Sequence, residues 1–355
     1  MTVFFVTGGA GFIGSNFAHR LIDESHSVIN LDVLNYAGNL KNIDDLSRFE
    51  QHTFVHGSIN DRAFVTSLLS EHRPSVIVNF AAETHVDRSI DDPGVFVHTN
   101  VVGTHELLLA TLVYWQALSA QDRAKFRFLQ VSTDEVYGPV AVGRCTELSR
   151  YAPSSPYAAS KAAAEHLVQA YYNTYGLPAL VTNCSNNYGP RQLPEKLIPK
   201  MISCALSGRT MGIYGDGLHR RDWLYVNDHC NALMRIIDGG RPGECYNVGG
   251  HGEQSNIEVV QAVCDYLDRV RPAKESYRKL IRFVADRPGH DRRYSIDPAK
   301  LERELGWLPK VTFEAGLSQT VDWYLENREW CERARSDVDR DADIGSGMRF
   351  GETEK

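Results

Sequence analysis

The sequence holds no Cys-x-x-Cys pair and no His/Cys spacing of the kind that binds zinc; its seven cysteines are scattered. This excludes a zinc ribbon, predicts no metal site and argues against a disulfide framework. The thiols read as small apolar filler, and a reducing cytoplasmic setting fits them. No apolar run approaches the roughly 18 residues that a membrane span needs. The first apolar run, Val3 to Val6, lacks a preceding basic stretch and reads as a strand rather than an export signal. Positive charge is not in excess either. Lys and Arg number 38 against 45 Asp and Glu, a net charge of -7, which speaks against general binding to nucleic acid or to an anionic membrane. A site for an anionic small molecule remains open, because it needs only local Arg and Lys. Internal repeats are absent. What is present, 355 residues of which 43% are apolar and 23% charged, suits a globular chain of about two domains.

The first half alternates short apolar runs with helical periodicity. Val3–Thr7, Val28–Asp32, Thr53–His56, Ser75–Ala81 and Phe126–Thr133 read as strands, and Ala179–Cys184 follows the turn Gly176-Leu177-Pro178. Between them Ile13, Phe17 and Leu21 recur every four residues, as do Val65 and Leu69. Alternation of this kind predicts a parallel sheet covered by helices on both faces. The second half is richer in turn signals, among them Gly215-Asp216-Gly217 and Gly249-Gly250.

Gly8, Gly11 and Gly14 lie between the first strand and the first helix, a variant of the dinucleotide fingerprint. Glycine allows the tight turn and lets a pyrophosphate approach the helix N-terminus, where free N–H groups and the dipole favour anions. Asp32 closes the second strand, 18 residues beyond Gly14 by subtraction of their numbers. A carboxylate there accepts from a ribose diol and repels a 2′-phosphate, so the expected cofactor is NAD rather than NADP. The fold class predicted is α/β: a Rossmann-type doubly wound parallel sheet with a smaller C-terminal α/β substrate-binding domain. The NAD-binding domain is placed at residues 1–185, with segments about 220–245 returning to it. Residues 186–335 form mainly the substrate-binding domain, and the polar stretch 336–355 a mobile tail.

Ser155 is a good N-cap, Pro156 suits a first helical turn, and Gly176 with Pro178 ends the helix. Tyr157 and Lys161 then share one face. A neighbouring ammonium and a positively charged nicotinamide ring both favour phenolate, which lowers the phenol below its usual value near about 10. Such a phenolate takes a hydroxyl proton while the carbon is oxidised. Thr133, Asp134 and Glu135 sit where a strand meets the carboxyl edge of the sheet. A simple alcohol dehydrogenase or epimerase uses the hydroxyl of Thr133 but has no need of two adjacent carboxyls. Their presence points to a second step, β-elimination of water. Glu135 would remove a proton acidified by a neighbouring ketone, and Asp134, protonated, would donate to the leaving hydroxyl.

These segments resemble the dTDP-glucose 4,6-dehydratase family, within the extended short-chain dehydrogenase/reductase (NAD-dependent epimerase/dehydratase) group, up to about residue 330. The matching stretches include TGGAGFIGSN at 7–16, FAAETHVDRSI at 80–90, STDEVYG at 132–138, YAPSSPYAASKA at 151–162, TNCSNNYGP at 182–190, RDWLYV at 221–226 and DRPGHDRRY at 286–294. The resemblance implies a hydro-lyase that holds NAD tightly and regenerates it each turnover, acts on a nucleotide sugar and forms a homodimer. The apolar helix near Leu107–Leu118 and the one bearing Tyr157 are the expected dimer surfaces, unless both bury their additional apolar residues internally. It implies Thr133 on the sugar oxygen, Asp134 as acid, Glu135 as base and Tyr157 as oxidation base. It implies NAD contacts at Phe12, Ile13, Asp32, Asn35, Ile59, Ala81, Ala82, Thr99, Lys161 and Asn187. The substrate contacts it implies are His85, Asn186, Lys196, Leu197, Tyr214, Arg221, Asn256 and the segment Asp286, Arg287 to His290. The sequence departs from the family at Ser58, where Asp is common and would accept from adenine, and at Met211-Gly212, where Leu-Pro is common.

Two other readings use the same residues. A UDP-sugar 4-epimerase or decarboxylase would employ Tyr157 and NAD without an acid at Asp134. A non-catalytic dinucleotide sensor would not be expected to keep Tyr157, Lys161 and both carboxylates, all of which are here.

Overall fold

The fold is described from a computed structural model covering residues 1–286, 290–332 and 334. The expectations for the tail 336–355 and for Arg287 lie outside the described residues. Twelve strands occur among them: β1 (Val3–Thr7), β2 (Ser27–Asp32), β3 (His52–His56), β4 (Val76–Asn79), β5 (Arg127–Thr133), β6 (Ala179–Cys184), β7 (Asn186–Tyr188), β8 (Met211–Tyr214), β9 (Arg220–Tyr225), β10 (Cys245–Val248), β11 (Glu253–Ser255) and β12 (Ile281–Val284). Seven of them form one parallel sheet in the order β3-β2-β1-β4-β5-β6-β10. The order reverses between β1 and β4, the switch point outside which doubly wound folds bind ligands. The predicted α/β class is thus present. Strand β4 is shorter than the Ser75–Ala81 expected, because the chain turns away after Phe80 N bonds Thr7 O at 3.0 Å.

The strands are apolar on both faces because both are covered. Phe4 and Val6 point into one core with Phe17 and Leu21 of the helix Phe12–Asp23 and Leu233 of the helix Val226–Gly239. Phe5 and Ile77 point into the other, with Leu69, Leu108 and Val168 of the helices Arg62–His72, Thr104–Ala117 and Pro156–Tyr175. Alternate residues of one strand therefore serve opposite layers. Truncating a ring such as Phe5 to Ala would cost about 3–5 kcal/mol.

Beyond β6 the chain builds a second, smaller core. Strands β11, β9 and β7 make a mixed three-stranded sheet and β12 pairs β8 in parallel. Tyr188 packs against Trp223, Tyr225 and Phe313 at its centre. Midway the chain returns to the large sheet, contributing the helix Val226–Gly239 and β10, before leaving again. Between the helices Pro93–Phe96 and Thr104–Ala117 the backbone takes π-helical form over Val97–Gly103.

Candidate active site

The loop from β1 into the first helix leaves no room for side chains. A Cβ on Gly8, whose φ is 71°, would lie 2.6 Å from Ala81 N, and one on Gly14 would lie 2.3 Å from Gly8 O. Gly11 begins the helix without a side-chain cap, so its first amides remain available to an anion. Asp32 is buried at the end of β2; its oxygens accept from Ala10 N at 2.9 Å and Leu34 N at 2.8 Å. Burial pushes its carboxyl up, and those two amides oppose the shift. Both features open on one cleft of about 460 Å³ along the carboxyl edge of the sheet. Its walls hold every expected cofactor residue: Gly8, Gly11, Phe12, Ile13, Gly14, Asp32, Asn35, Ser58, Ile59, Ala81, Ala82, Thr99, Tyr157, Lys161 and Asn187. A bare-backbone cradle at a helix start, with a carboxylate one strand away, fits a dinucleotide with an unmodified ribose.

The same cleft holds Thr133, Asp134 and Glu135. Thr133 ends β5, and its hydroxyl accepts from Glu135 N at 3.3 Å and donates to Asp134 Oδ1 at 3.4 Å, fixing the 3₁₀ turn Asp134–Tyr137. Asp134 is 3% exposed. Its Oδ2 has no hydrogen-bond partner among the described residues. Burial above all, then the Glu135 and Asp222 charges, push its carboxyl well above the usual range; Arg221 pulls the other way. An aspartic acid so placed keeps its proton.

Ser155 caps the next helix by accepting from Ala158 N at 3.1 Å, and Gly176 closes it in the left-handed region. Tyr157 and Lys161 face the cleft from this helix. The expected depression of the Tyr157 phenol is not produced by the protein's own groups. Burial, then Glu135, push it well above its ordinary value, while the Thr133 hydroxyl opposes them. Lys161 donates to Val131 O at 2.8 Å, and burial lowers its ammonium to about 8.

The remaining substrate candidates divide. Asn186 and Lys196 line the cleft, whereas His85, Leu197, Tyr214, Arg221, Asn256, Asp286 and His290 stand outside its walls. His85 caps the helix Val86–Asp91 and lies 3.6 Å from Glu195. Leu197 starts the helix Leu197–Leu206 and Asn256 starts Asn256–Val270. Arg221 is buried, donates to the carbonyls of Arg220 and Asp291, and stacks over Tyr294 at 4.5 Å. Next to it in the chain, Asp222 accepts from the Gly250 and Gly252 amides, and Asp228 accepts from those of Lys310 and Val311. Asp286 bridges His290 at 2.7 Å and His219 at 3.2 Å, and the two imidazoles stack at 3.8 Å.

Some supporting residues gave little signal in the sequence. Asn100, buried in the π-helical stretch, accepts from Glu83 N and donates to Glu83 O and Ser160 Oγ, tying one cleft wall to the Tyr157 helix. His219 stands outside any recognised motif.

The family described as GDP-mannose 4,6 dehydratase matches residues 5–320. A dTDP-glucose 4,6-dehydratase of Xanthomonas campestris pv. campestris (strain B100) is 56% identical over 335 residues, covering 94% of this chain and 95% of its own. One from Shigella flexneri is 51% identical over 342 residues, covering 93% and 95%. Among solved structures, the dTDP-glucose 4,6-dehydratase DesIV of Streptomyces venezuelae, with NAD bound, superposes with a TM-score of 0.86 at 44% identity, covering 94% and 99%. A UDP-glucose 4-epimerase of Thermotoga maritima superposes at 0.81 with 29% identity, covering 91% and 99%.

Proposed function

The chain belongs to the GDP-mannose 4,6-dehydratase family of NAD-dependent epimerases and dehydratases, and from that premise we propose that it converts dTDP-glucose to dTDP-4-dehydro-6-deoxyglucose and water. The observation that carries this reading beyond the epimerases is Asp134: a buried carboxyl held above its usual range beside a second carboxyl, Glu135. Epimerisation has no use for a proton donor beside a leaving hydroxyl. Elimination requires one.

The glycine cradle and Asp32 would hold NAD, which when bound would supply the acceptor and later donor of the hydrogen that moves from C4 to C6. The protein's groups do the rest. Tyr157 takes the C4 hydroxyl proton, assisted by Lys161 and by the Thr133 hydroxyl against the sugar oxygen. The resulting ketone acidifies C5; Glu135 removes that proton and gives it back to C5 when C6 receives its hydrogen. Asp134 protonates the departing C6 hydroxyl, so the water lost contains that oxygen and the proton from Asp134. Asn186 and Lys196 in the cleft, with His85, Leu197, Tyr214, Arg221, Asn256, Asp286 and His290 outside its walls, take the nucleotide, and Arg287 joins them on the family resemblance alone. Residues 1–185 with the returning helix and β10 serve as the NAD-binding domain, and most of 186–335 as the substrate domain.

The enzyme works as a homodimer in the cytoplasm. Val97, Val102 and Val113 expose apolar side chains on the helical run leading to and through Thr104–Ala117, a surface suited to a second copy. Among the described residues no helix is long and apolar enough to cross a membrane. Incubation with dTDP-glucose, followed by mass spectrometry, tests the reading. The product is expected to be lighter by one water; a product of unchanged mass would overturn it in favour of epimerisation. UDP-glucose run in parallel tests the nucleobase preference.

A further inference from the structure

Glu165 lies one helical turn beyond Lys161 on the helix Pro156–Tyr175 and is 3% exposed. Nothing in the chemistry above uses it, yet its carboxylate is elaborately held. Ser132 Oγ of β5 and Tyr151 OH of the preceding loop both donate to it, and Asn183 Nδ2 of β6 donates at 2.9 Å. The same Asn183 amide reaches Thr133 O at 3.2 Å. The carboxylate therefore joins the ends of β5 and β6 to the helix, directly behind Thr133 and Lys161.

We propose that Glu165 is a positioning residue of the reaction, keeping Lys161 an ammonium and holding the end of β5 in place from inside the protein. The proposal rests on the dehydratase reading. Three donors around one buried carboxylate favour its ionised form, since a carboxylate is acceptor-only. A buried ammonium facing only neutral groups sheds its proton. The titratable groups facing this nest are Lys161 on the same helix, Cys184 of β6, Cys245 of β10, Tyr137 of the 3₁₀ turn and Tyr151. Burial raises both thiols and both phenols, so they stay neutral. Burial also raises Glu165 to about 7, against the pull of Ser132, Tyr151, Asn183 and Lys161. Glu165 is the largest influence opposing the loss of the Lys161 proton. Each charge thus favours the other across one helical turn.

The test is the pH profile of kcat/KM for dTDP-glucose in the NAD-loaded enzyme. Its alkaline limb reports loss of the Lys161 proton. Glu165→Gln is expected to move that limb down by about one pH unit, with activity below the limb reduced much less than above it. Glu165→Asp should restore part of the shift. Tyr151→Phe, at a half-buried loop position, removes one donor to the carboxylate and should move the limb the same way by less. A folded Glu165→Gln enzyme with an unmoved limb, or with one uniform loss at every pH, overturns the proposal. If Glu165→Gln does not fold, an unmoved limb in Tyr151→Phe overturns it. A wild-type enzyme that yields no dehydrated product defeats the dehydratase reading instead, so the two failures are distinguishable.

Discussion

Asp134 at the edge of the large sheet and Asp286 in the smaller lobe are both carboxyls drawn from motifs, but their surroundings are opposite. Asp134 is buried beside another carboxyl, with one oxygen that has no hydrogen-bond partner among the described residues. Asp286 is 39% exposed and bridges two imidazoles. The first environment stores a proton, while the second fixes a charge and two rings in place. On the function proposed above, the sheet edge changes protonation state during the reaction and the smaller lobe grips the nucleotide.

The largest test of that division is Tyr157→Phe. It should lower kcat by about 1,000-fold, within the range for loss of a general base, and no NADH absorbance should develop on mixing with substrate. Glu135→Gln should lower kcat by about 100-fold but let NADH accumulate, because oxidation precedes the blocked proton removal. A fully active Glu135→Gln enzyme would remove Glu135 from its role.

Asp134→Asn sharpens the contrast through stability. A carboxyl raised by folding binds more protons in the native state than in the unfolded chain. Its contribution is fully present below the unfolded value and is lost as pH rises through the folded one. The amide should therefore be slower in turnover yet melt a few degrees higher than wild type near neutral pH, with the gap closing in acid. Calorimetry at both pH values reads this; equal melting temperatures throughout would show that Asp134 is not strained by its burial. The smallest effect belongs to the other lobe. Tyr214→Ala, at an exposed position beside His290, should raise KM by about tenfold and leave kcat within about twofold, the signature of lost uniform binding. A collapse of kcat there would break the division between a reacting wall and a gripping one.

The reacting wall was legible in the sequence because each part is local. The glycines, Asp32, and the Ser155-Pro156-Tyr157 start with its Gly176 stop are strand–turn–helix features spelled out within a few residues, and the cleft collects them. The gripping lobe was less so. Strand β7 has three residues and owes its pairing to β9, with Asn186 opposite Trp223, 37 positions on. The His219, Asp286 and His290 contact joins segments no periodicity connects. The Tyr157 phenol showed a different shortfall: spacing reveals a lysine one turn on but not the burial that raises the phenol.

The π-helical stretch Val97–Gly103 carries a further consequence. Its ladder closes five residues back rather than four, so it stores one surplus residue relative to its flanks. Deleting a single position there would let the run relax to an ordinary α-helix while its two flanks keep nearly their present headings, because the wide turns take up the surplus residue instead of passing on the about 100° that one residue at 3.6 per turn adds. An inserted residue has no such reserve and would rotate one flank against the other. This run should therefore give up length at less cost than it gains it.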